Sequence, residues 1–177
     1  MKTYNNQIGS KLMMMLIIVF ASCTTSFSQN ESEKDKLIYH SFSITPLEGF
    51  FSEYVEGFAI SSDLSYAYKR NIFTVAGTLS EEFNILGGGG DKFHQLNLLY
   101  GRQFGLFKWL FFDAHTGFGL FHYNGYNGKQ TKFGFPLVTK LRFKTGEEFS
   151  IGFKGEANFN SIEELYMFGL LLQWNVN

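Results

Sequence analysis

Residues 132–143 read KFGFPLVTKLRF, and their side chains alternate between two kinds. The odd positions, apart from Thr139, carry large apolar side chains: Phe133, Phe135, Leu137, Leu141 and Phe143. The even positions include the cations Lys140 and Arg142. A period of two places neighbouring side chains on opposite faces and predicts a β-strand. One face of this strand is apolar and the other holds cations, including Lys140 and Arg142, so the fold must provide a suitable environment for both.

The same alternation continues through most of the chain. It predicts eight strands, at 37–45, 54–68, 72–83, 92–104, 109–123, 132–144, 147–158 and 164–176. The composition agrees, because 19% of the 177 residues are aromatic and only 2 are proline, and strands are enriched in aromatic residues. The formal net charge is −1 with no basic block, so nucleic acid is not an expected partner.

The first 28 residues are expected to form a secretory signal peptide, and 29–36 a short polar lead before the barrel at 37–177. Lys2 and Lys11 precede a short apolar run, 12–20, which is followed by small residues. This order of charged, apolar and cleavage regions is that of a signal peptide. Ser26 and Ser28 occupy the two positions that signal peptidase reads, which predicts cleavage after Ser28.

Cys23 is the only cysteine and allows an alternative. The stretch from Phe20 to Cys23 resembles a lipobox, in which the cysteine is acylated, although Phe20 replaces the usual leucine. If cleavage follows Ser28, the mature chain has no cysteine, which excludes disulfides and thiol chemistry.

The polar face decides between two kinds of barrel. In a soluble barrel the apolar face points inward, but eight inward sets of Phe and Leu would overfill a narrow interior. The polar face is mainly Gly, Ser, Asn and Gln, which would fit there. The opposite arrangement is therefore expected, with apolar side chains toward lipid and Lys140 and Arg142 inside, since a cation at the bilayer midplane costs about 2–4 kcal/mol. The predicted fold is all-β, an eight-stranded antiparallel up-and-down transmembrane barrel with a polar, side-chain-filled lumen.

By this pattern, residues 37–177 resemble the small eight-stranded outer-membrane β-barrels of Gram-negative bacteria, the OmpA/OmpX type. The resemblance implies an outer-membrane location, outer-membrane lipid as a partner, and contact with the barrel-insertion machinery during assembly. Such chains often end on an aromatic residue; here Trp174 precedes Asn175-Val176-Asn177. Short turns in these barrels lie in the periplasm and longer loops outside. Strict alternation of short and long connections, with loops at 46–53, 84–91, 124–131 and 159–163, would place both termini in the periplasm.

Two sets of residues are expected to have structural roles. The lumen network comprises Asp63, Asp113, His115, Lys140, Arg142, Lys154 and Glu156. Antiparallel folding about residue 127 or 128 sets Asp113 opposite Arg142 and His115 opposite Lys140, with the second contact keeping His115 neutral. Aromatic girdles at the two membrane interfaces are expected from Tyr66, Tyr68, Tyr100, Trp109, Tyr123, Tyr166 and Trp174.

No cofactor, metal or catalytic site is predicted. The glycine run 87–90 lacks the Lys-Ser or Lys-Thr of a phosphate-binding loop. His94 and His122 lack a third metal ligand. Asp113 and His115 could serve Ser61 or Ser65 as a catalytic base, but a polar network is the simpler interpretation.

The function expected from the sequence is that of a non-enzymatic integral outer-membrane protein with an envelope-structural or surface-contact role. One alternative is an outer-membrane enzyme acting on lipid, similar to lipid A deacylase barrels, although the chain lacks their His-x-Ser. The other is a soluble or lipid-anchored barrel that binds a small ligand.

Overall fold

The computed structural model describes residues 36–53, 56–82, 91–125 and 128–175. The predicted signal peptide 1–28, its cleavage site, nearly all of the lead 29–36 and the glycine run 87–90 lie outside the described residues.

Eight antiparallel strands form one closed barrel, in which each strand pairs with the next along the chain and β8 pairs back to β1. The strands are β1 (Ile38–Phe51), β2 (Glu56–Tyr68), β3 (Asn71–Glu82), β4 (Lys92–Phe107), β5 (Leu110–Gly125), β6 (Gly128–Lys144), β7 (Phe149–Asn160) and β8 (Glu164–Asn175). We call the end with the β2–β3, β4–β5 and β6–β7 connections the turn end, and the other the loop end. Within the described ranges no helix is long and apolar enough to cross a bilayer.

The predicted strict alternation of short and long connections is wrong. β5 ends at Gly125 and β6 begins at Gly128, so most of the predicted loop 124–131 is strand. Polar residues suit this stretch although the strands continue, because both faces of β6 are exposed from residue 128 to 133 and Asn124 and Gly125 are only half-buried. The longest interval at the loop end is 83–91, between β3 and β4.

Most of the predicted loop 46–53 is also strand, because β1 continues past Pro46 to Phe51. The pairing of β1 shifts register between Thr45 and Glu48 on the β2 side and between Ile44 and Leu47 on the β8 side. A bulge at this point accommodates a proline, which has no N–H to donate to the ladder. The bulge also moves the inward parity from odd to even residues, so that Glu48 faces the lumen.

Two inward-facing glycines allow neighbouring strands to approach closely. A Cβ added at Gly117 would lie 2.0 Å from the carbonyl oxygen of Leu98, and one added at Gly152 would lie 2.1 Å from that of Leu141. These distances are far shorter than van der Waals contact, so only glycine fits. The strongly curved sheet of a narrow barrel therefore depends on both residues.

Candidate functional site

Side chains alternate between the lumen and the outer surface along every strand. On β2, Ser61 and Asp63 are buried inside, whereas Ile60 and Leu64 are exposed outside. Residues 132–143 on β6 show the same alternation, since Arg142 is 2% exposed and Phe133 is 71% exposed. All eight strands contribute exposed apolar side chains to a belt around the barrel. A soluble monomer rarely exposes a continuous apolar surface of this extent, so the belt suits lipid, and a soluble barrel with an inward apolar face is excluded.

Arg142 is the centre of a polar network at the turn end of the lumen. Its Nε donates to Asp113 Oδ2 at 2.6 Å, and its Nη2 donates to Asp113 Oδ1 at 2.9 Å. Nη2 also donates to Gln103 Oε1 at 2.7 Å, and Nη1 to Asn175 Oδ1 at 3.2 Å. The bidentate contact between Arg142 and Asp113 pairs a buried cation with a buried carboxylate in the planar geometry that arginine favours.

The predicted β5–β6 register is wrong by two residues, although the predicted Asp113–Arg142 pair forms. Asp113 lies opposite Lys140, and His115 lies opposite Val138. Arg142 reaches Asp113 along the diagonal, a separation that a long side chain can span. The error comes from the hairpin, which is centred between residues 126 and 127 because the strands join over a two-residue connection.

Lys140 crosses the lumen instead of contacting His115. Its Nζ donates to both carboxylate oxygens of Asp63 at 2.8 Å and to Ser43 Oγ at 3.0 Å. His115 is buried at 4% exposure, and its Nδ1 has no hydrogen-bond partner within the described part of the chain.

Lys154 organises a second ionic cluster. Its Nζ lies 2.8 Å from Glu156 and 3.0 Å from Glu48, and it donates to Ser61 Oγ at 3.0 Å. Glu156 Oε1 also accepts a hydrogen bond from Asn97 Nδ2 at 3.2 Å. Glu48 is completely buried and is a lumen residue that sequence reasoning missed. Pro46 was the signal that could have found it, because a bulge there reverses the parity.

These contacts occupy the groups that could have formed a catalytic triad. Asp113 binds Arg142, Ser61 accepts from Lys154, and Ser65 Oγ shares a 2.7 Å hydrogen bond with Thr74 Oγ1. None of these contacts joins a serine to His115. The arrangement is that of a packed polar interior and not of an activated nucleophile.

The loop end of the lumen is filled by apolar side chains that the sequence analysis did not anticipate. Phe93 packs edge-on against Phe50, with centroids 4.9 Å apart, and stacks on Phe121 at 5.4 Å. The buried cluster comprises Phe50, Ala59, Phe93, Phe121, Tyr123, Leu165 and Met167. Its cavity has a volume of only about 10 Å³, which is room for about one water molecule.

Tyr123 belongs to this internal cluster, so its assignment to an aromatic girdle is wrong. It is 8% exposed, and its hydroxyl donates to Asp91. β5 passes the belt before residue 123, and its odd positions face the lumen. Position along the strand alone suggested an interfacial role, but the parity of the residue decides that it points inward.

The other aromatic residues assigned to the girdles lie on the outer surface, at 36–53% exposure: Tyr66, Tyr68, Tyr100, Trp109, Tyr166 and Trp174. His94 and His122 also face outward and lie directly opposite each other, with their rings stacked at 6.2 Å. No group of three or more His, Cys, Asp or Glu side chains within the described ranges could hold a metal ion.

No protein-family model matches the chain, and no curated protein sequence matches it. Solved structures do match. Neisserial surface protein A is similar with a TM-score of 0.65 and 10% identity, over 82% of this chain and all of that one. The N-terminal β-barrel domain of Pseudomonas aeruginosa OprF is similar with a TM-score of 0.55 and 14% identity, over 80% of this chain and all of that one.

The attachment invasion locus protein Ail of Yersinia pestis, solved in complex with the heparin analogue sucrose octasulfate, is similar with a TM-score of 0.50 and 13% identity. The match covers 78% of this chain and 98% of that one. At these identities the likeness establishes the architecture, which agrees with the closed eight-stranded sheet, the apolar belt and the packed polar interior. The chain therefore has the fold of the eight-stranded outer-membrane β-barrels of Gram-negative bacteria.

Proposed function

We propose that the mature chain is a non-enzymatic integral protein of the outer membrane, with a surface-contact role at the loop end. The observation that carries this proposal is the distribution of polarity. Apolar side chains cover the outside of all eight strands, while paired ions and amides fill the inside except at the loop end, where the aromatic cluster lies. Such a barrel is suited to a bilayer, because strands closed into one sheet pair their backbone groups with each other where they cross the hydrocarbon.

The packed lumen argues against transport and against catalysis inside the barrel. Two ionic clusters around Arg142 and Lys154 and the aromatic cluster around Phe93 follow one another along the axis. A solute would have to break buried ion pairs and displace aromatic rings in order to pass. Eight strands enclose only enough room for side chains, and here that room is used.

The β5–β6 hairpin supports a surface contact. β6 pairs with β5 from Gly128 onward but with β7 only from Gly134 onward. The stretch 128–133 therefore projects above its neighbour on that side, and all of it is exposed, including Lys129 and Lys132. Ail, which shares the fold, was solved with a polyanionic heparin analogue. The lysines of the projecting hairpin would likewise favour contact with an anionic partner.

The proposed orientation places the loop end outside the cell and both termini in the periplasm. It rests on the interval 83–91 and on the projecting hairpin, since longer extensions in such barrels face outward. Trp174, near the end of β8 at the turn end, is the proposed aromatic signal for the insertion machinery.

Gel mobility of membrane fractions, with and without heating, tests the proposal. The unheated protein should be in the outer-membrane fraction, resist carbonate extraction and migrate differently from the heated protein. Recovery from the soluble periplasm would overturn the membrane assignment.

Two further assays separate the functional classes. Incubation with lipid A followed by mass spectrometry should leave every acyl chain in place, and planar bilayers should show no steady conductance. Acyl-chain release would make the protein an enzyme, and a stable current would make it a pore.

A further inference from the structure

The charged residues on the outer surface at the loop end are not evenly distributed around the barrel. Outward-facing acidic residues lie on one side of the ring, at Glu56 on β2, Glu81 on β3 and Glu164 on β8. Outward-facing lysines lie on the other, at Lys92 on β4 and Lys129 on β6. The barrel therefore presents one cationic sector at this end.

Register places the residues of the cationic sector in two rows across β4, β5 and β6. Lys92 lies opposite Asn124, which lies opposite Lys129. With strands about 4.8 Å apart, the two lysines are separated by about 10 Å across the asparagine. The row beneath it contains His94 opposite His122, and Thr131 on β6.

The lower row is ordered by a hydrogen bond. His122 Nδ1 and Thr131 Oγ1 are 2.7 Å apart, which holds the imidazole ring while leaving its Nε2 unused by this contact. We call Lys92, His94, His122, Asn124 and Lys129 the β4–β6 patch. All five side chains offer nitrogen atoms, and all five can donate a hydrogen bond to an anion when the imidazoles are in the suitable tautomer or protonated.

The apolar belt begins directly below the patch. The next outward row is Leu96 opposite Leu120 opposite Phe133, and all three side chains are exposed, at 45–71%. A ligand on the patch therefore meets nitrogen donors at one level and hydrocarbon at the next. An amphiphile with an anionic headgroup and acyl chains fits this sequence of surfaces, whereas a soluble polyanion would leave the leucines uncovered.

We propose that the β4–β6 patch binds the phosphate group of an outer-leaflet glycolipid of the lipid A class, with its acyl chains on Leu96, Leu120 and Phe133. The proposal deepens the proposed function, on which it rests for the bilayer and for the outward direction of the loop end. Lys129 is the principal cation, since it makes no ion pair within the described ranges. Lys92 is partly neutralised by Glu81, at 2.7 Å.

Native mass spectrometry of the purified barrel in detergent, titrated with diphosphorylated lipid A, phosphatidylglycerol or phosphatidylcholine, tests the proposal. Lys92→Gln with Lys129→Gln should weaken lipid A binding about tenfold, as expected for the loss of two cations near a membrane surface, one of them partly neutralised. The matched control is Lys108→Gln with Lys144→Gln, two exposed lysines at the turn end. This control should leave lipid A binding unchanged.

Glu81→Gln should have the opposite effect and strengthen lipid A binding, because it removes the anion that neutralises Lys92. A folding defect cannot produce that gain. Equal weakening by both lysine pairs, or no weakening by either, would overturn the patch. Preferential binding of phosphatidylglycerol would overturn the assignment to an outer-leaflet glycolipid.

The heat-dependent gel shift and bilayer insertion of the same variants separate the two proposals. Normal insertion without selective lipid A binding would overturn the patch alone. Failure of the unmodified chain to insert would overturn the proposed function itself.

Discussion

Replacing Arg142 with alanine should destabilise the folded barrel by about 3–5 kcal/mol, the range for removing one partner of a buried ion pair. The substitution leaves the Asp113 carboxylate in the lumen after its two hydrogen bonds, at 2.6 and 2.9 Å, are lost. Gln103 and Asn175 lose an arginine donor at the same time. Because the two charged side chains are only 2% and 4% exposed, water can replace little of what is removed.

The exposed pair Lys92–Glu81 provides a matched control. Its atoms are 2.7 Å apart, a separation close to that of the buried pair, but its side chains are 44% and 66% exposed. Lys92→Gln should therefore cost about 0–1 kcal/mol. The contrast isolates burial as the cause, since both variants remove one cation from a short ion pair.

A double variant tests whether the cost is that of an unpaired charge. Asp113→Asn together with Arg142→Gln removes both charges and keeps amide groups that can hydrogen-bond. It should recover part of the loss caused by Arg142→Ala, because no ionised group is then left without a partner. The double-mutant cycle with the single variants Asp113→Asn and Arg142→Gln gives the coupling energy of the pair.

Denaturant unfolding in lipid vesicles, followed by the fluorescence of Trp109 and Trp174 and by the gel shift, measures these changes. Both tryptophans lie at the turn end, near the altered network. A shift in midpoint at constant slope reports a change in stability. If Arg142→Ala and Lys92→Gln gave equal shifts, the turn end of the lumen would be hydrated and the reasoning from burial would be refuted.

Three further predictions concern the loop end and the N-terminus. Phe121→Ala, which leaves a cavity inside the aromatic cluster, should destabilise the folded barrel by about 3–5 kcal/mol. The lipid-facing variant Phe118→Ala should cost less, because acyl chains fill the gap. Equal losses of stability in the same unfolding assay would contradict a packed aromatic cluster in the lumen. Cysteine introduced at Asn127 should react with an impermeant maleimide on intact cells, and labelling only after lysis would reverse the orientation. Mass spectrometry of the mature protein should find cleavage after Ser28, whereas an acylated Cys23 would show a lipoprotein.

The assignment of faces was predictable because it depends on local chemistry. In β6, parity alone separates Phe133 from Arg142, and the energetic cost of a cation in hydrocarbon decides which face is internal. Neither step requires knowledge of any other strand. The same reasoning gave the antiparallel eight-stranded barrel and the burial of Asp63 and Asp113, all of which the structure contains.

Features that depend on register or on bulges were predicted less well. The β5–β6 hairpin is tighter than its polar sequence suggested. The observed register therefore differs by two residues from the predicted one, and His115 lies opposite Val138 instead of Lys140. The sequence predicts that the first strand ends before Pro46, but a bulge carries β1 past it. Glu48 was therefore missing from the predicted lumen network.

The sequence by itself determined the kind of barrel, the number of strands and the polarity of each face, because a period of two is a property of each strand alone. The tertiary structure decided which charges meet. Lys140 binds Asp63 across 77 positions of sequence, and Lys154 binds Glu48 on β1 as well as its near neighbour Glu156. Lys140 on β6 and Asp63 on β2, like Lys154 on β7 and Glu48 on β1, lie on strands that do not pair with each other, so these partners meet inside the lumen only when the sheet closes. The pairing of buried charges thus follows from barrel closure and bulge geometry, which no local pattern encodes.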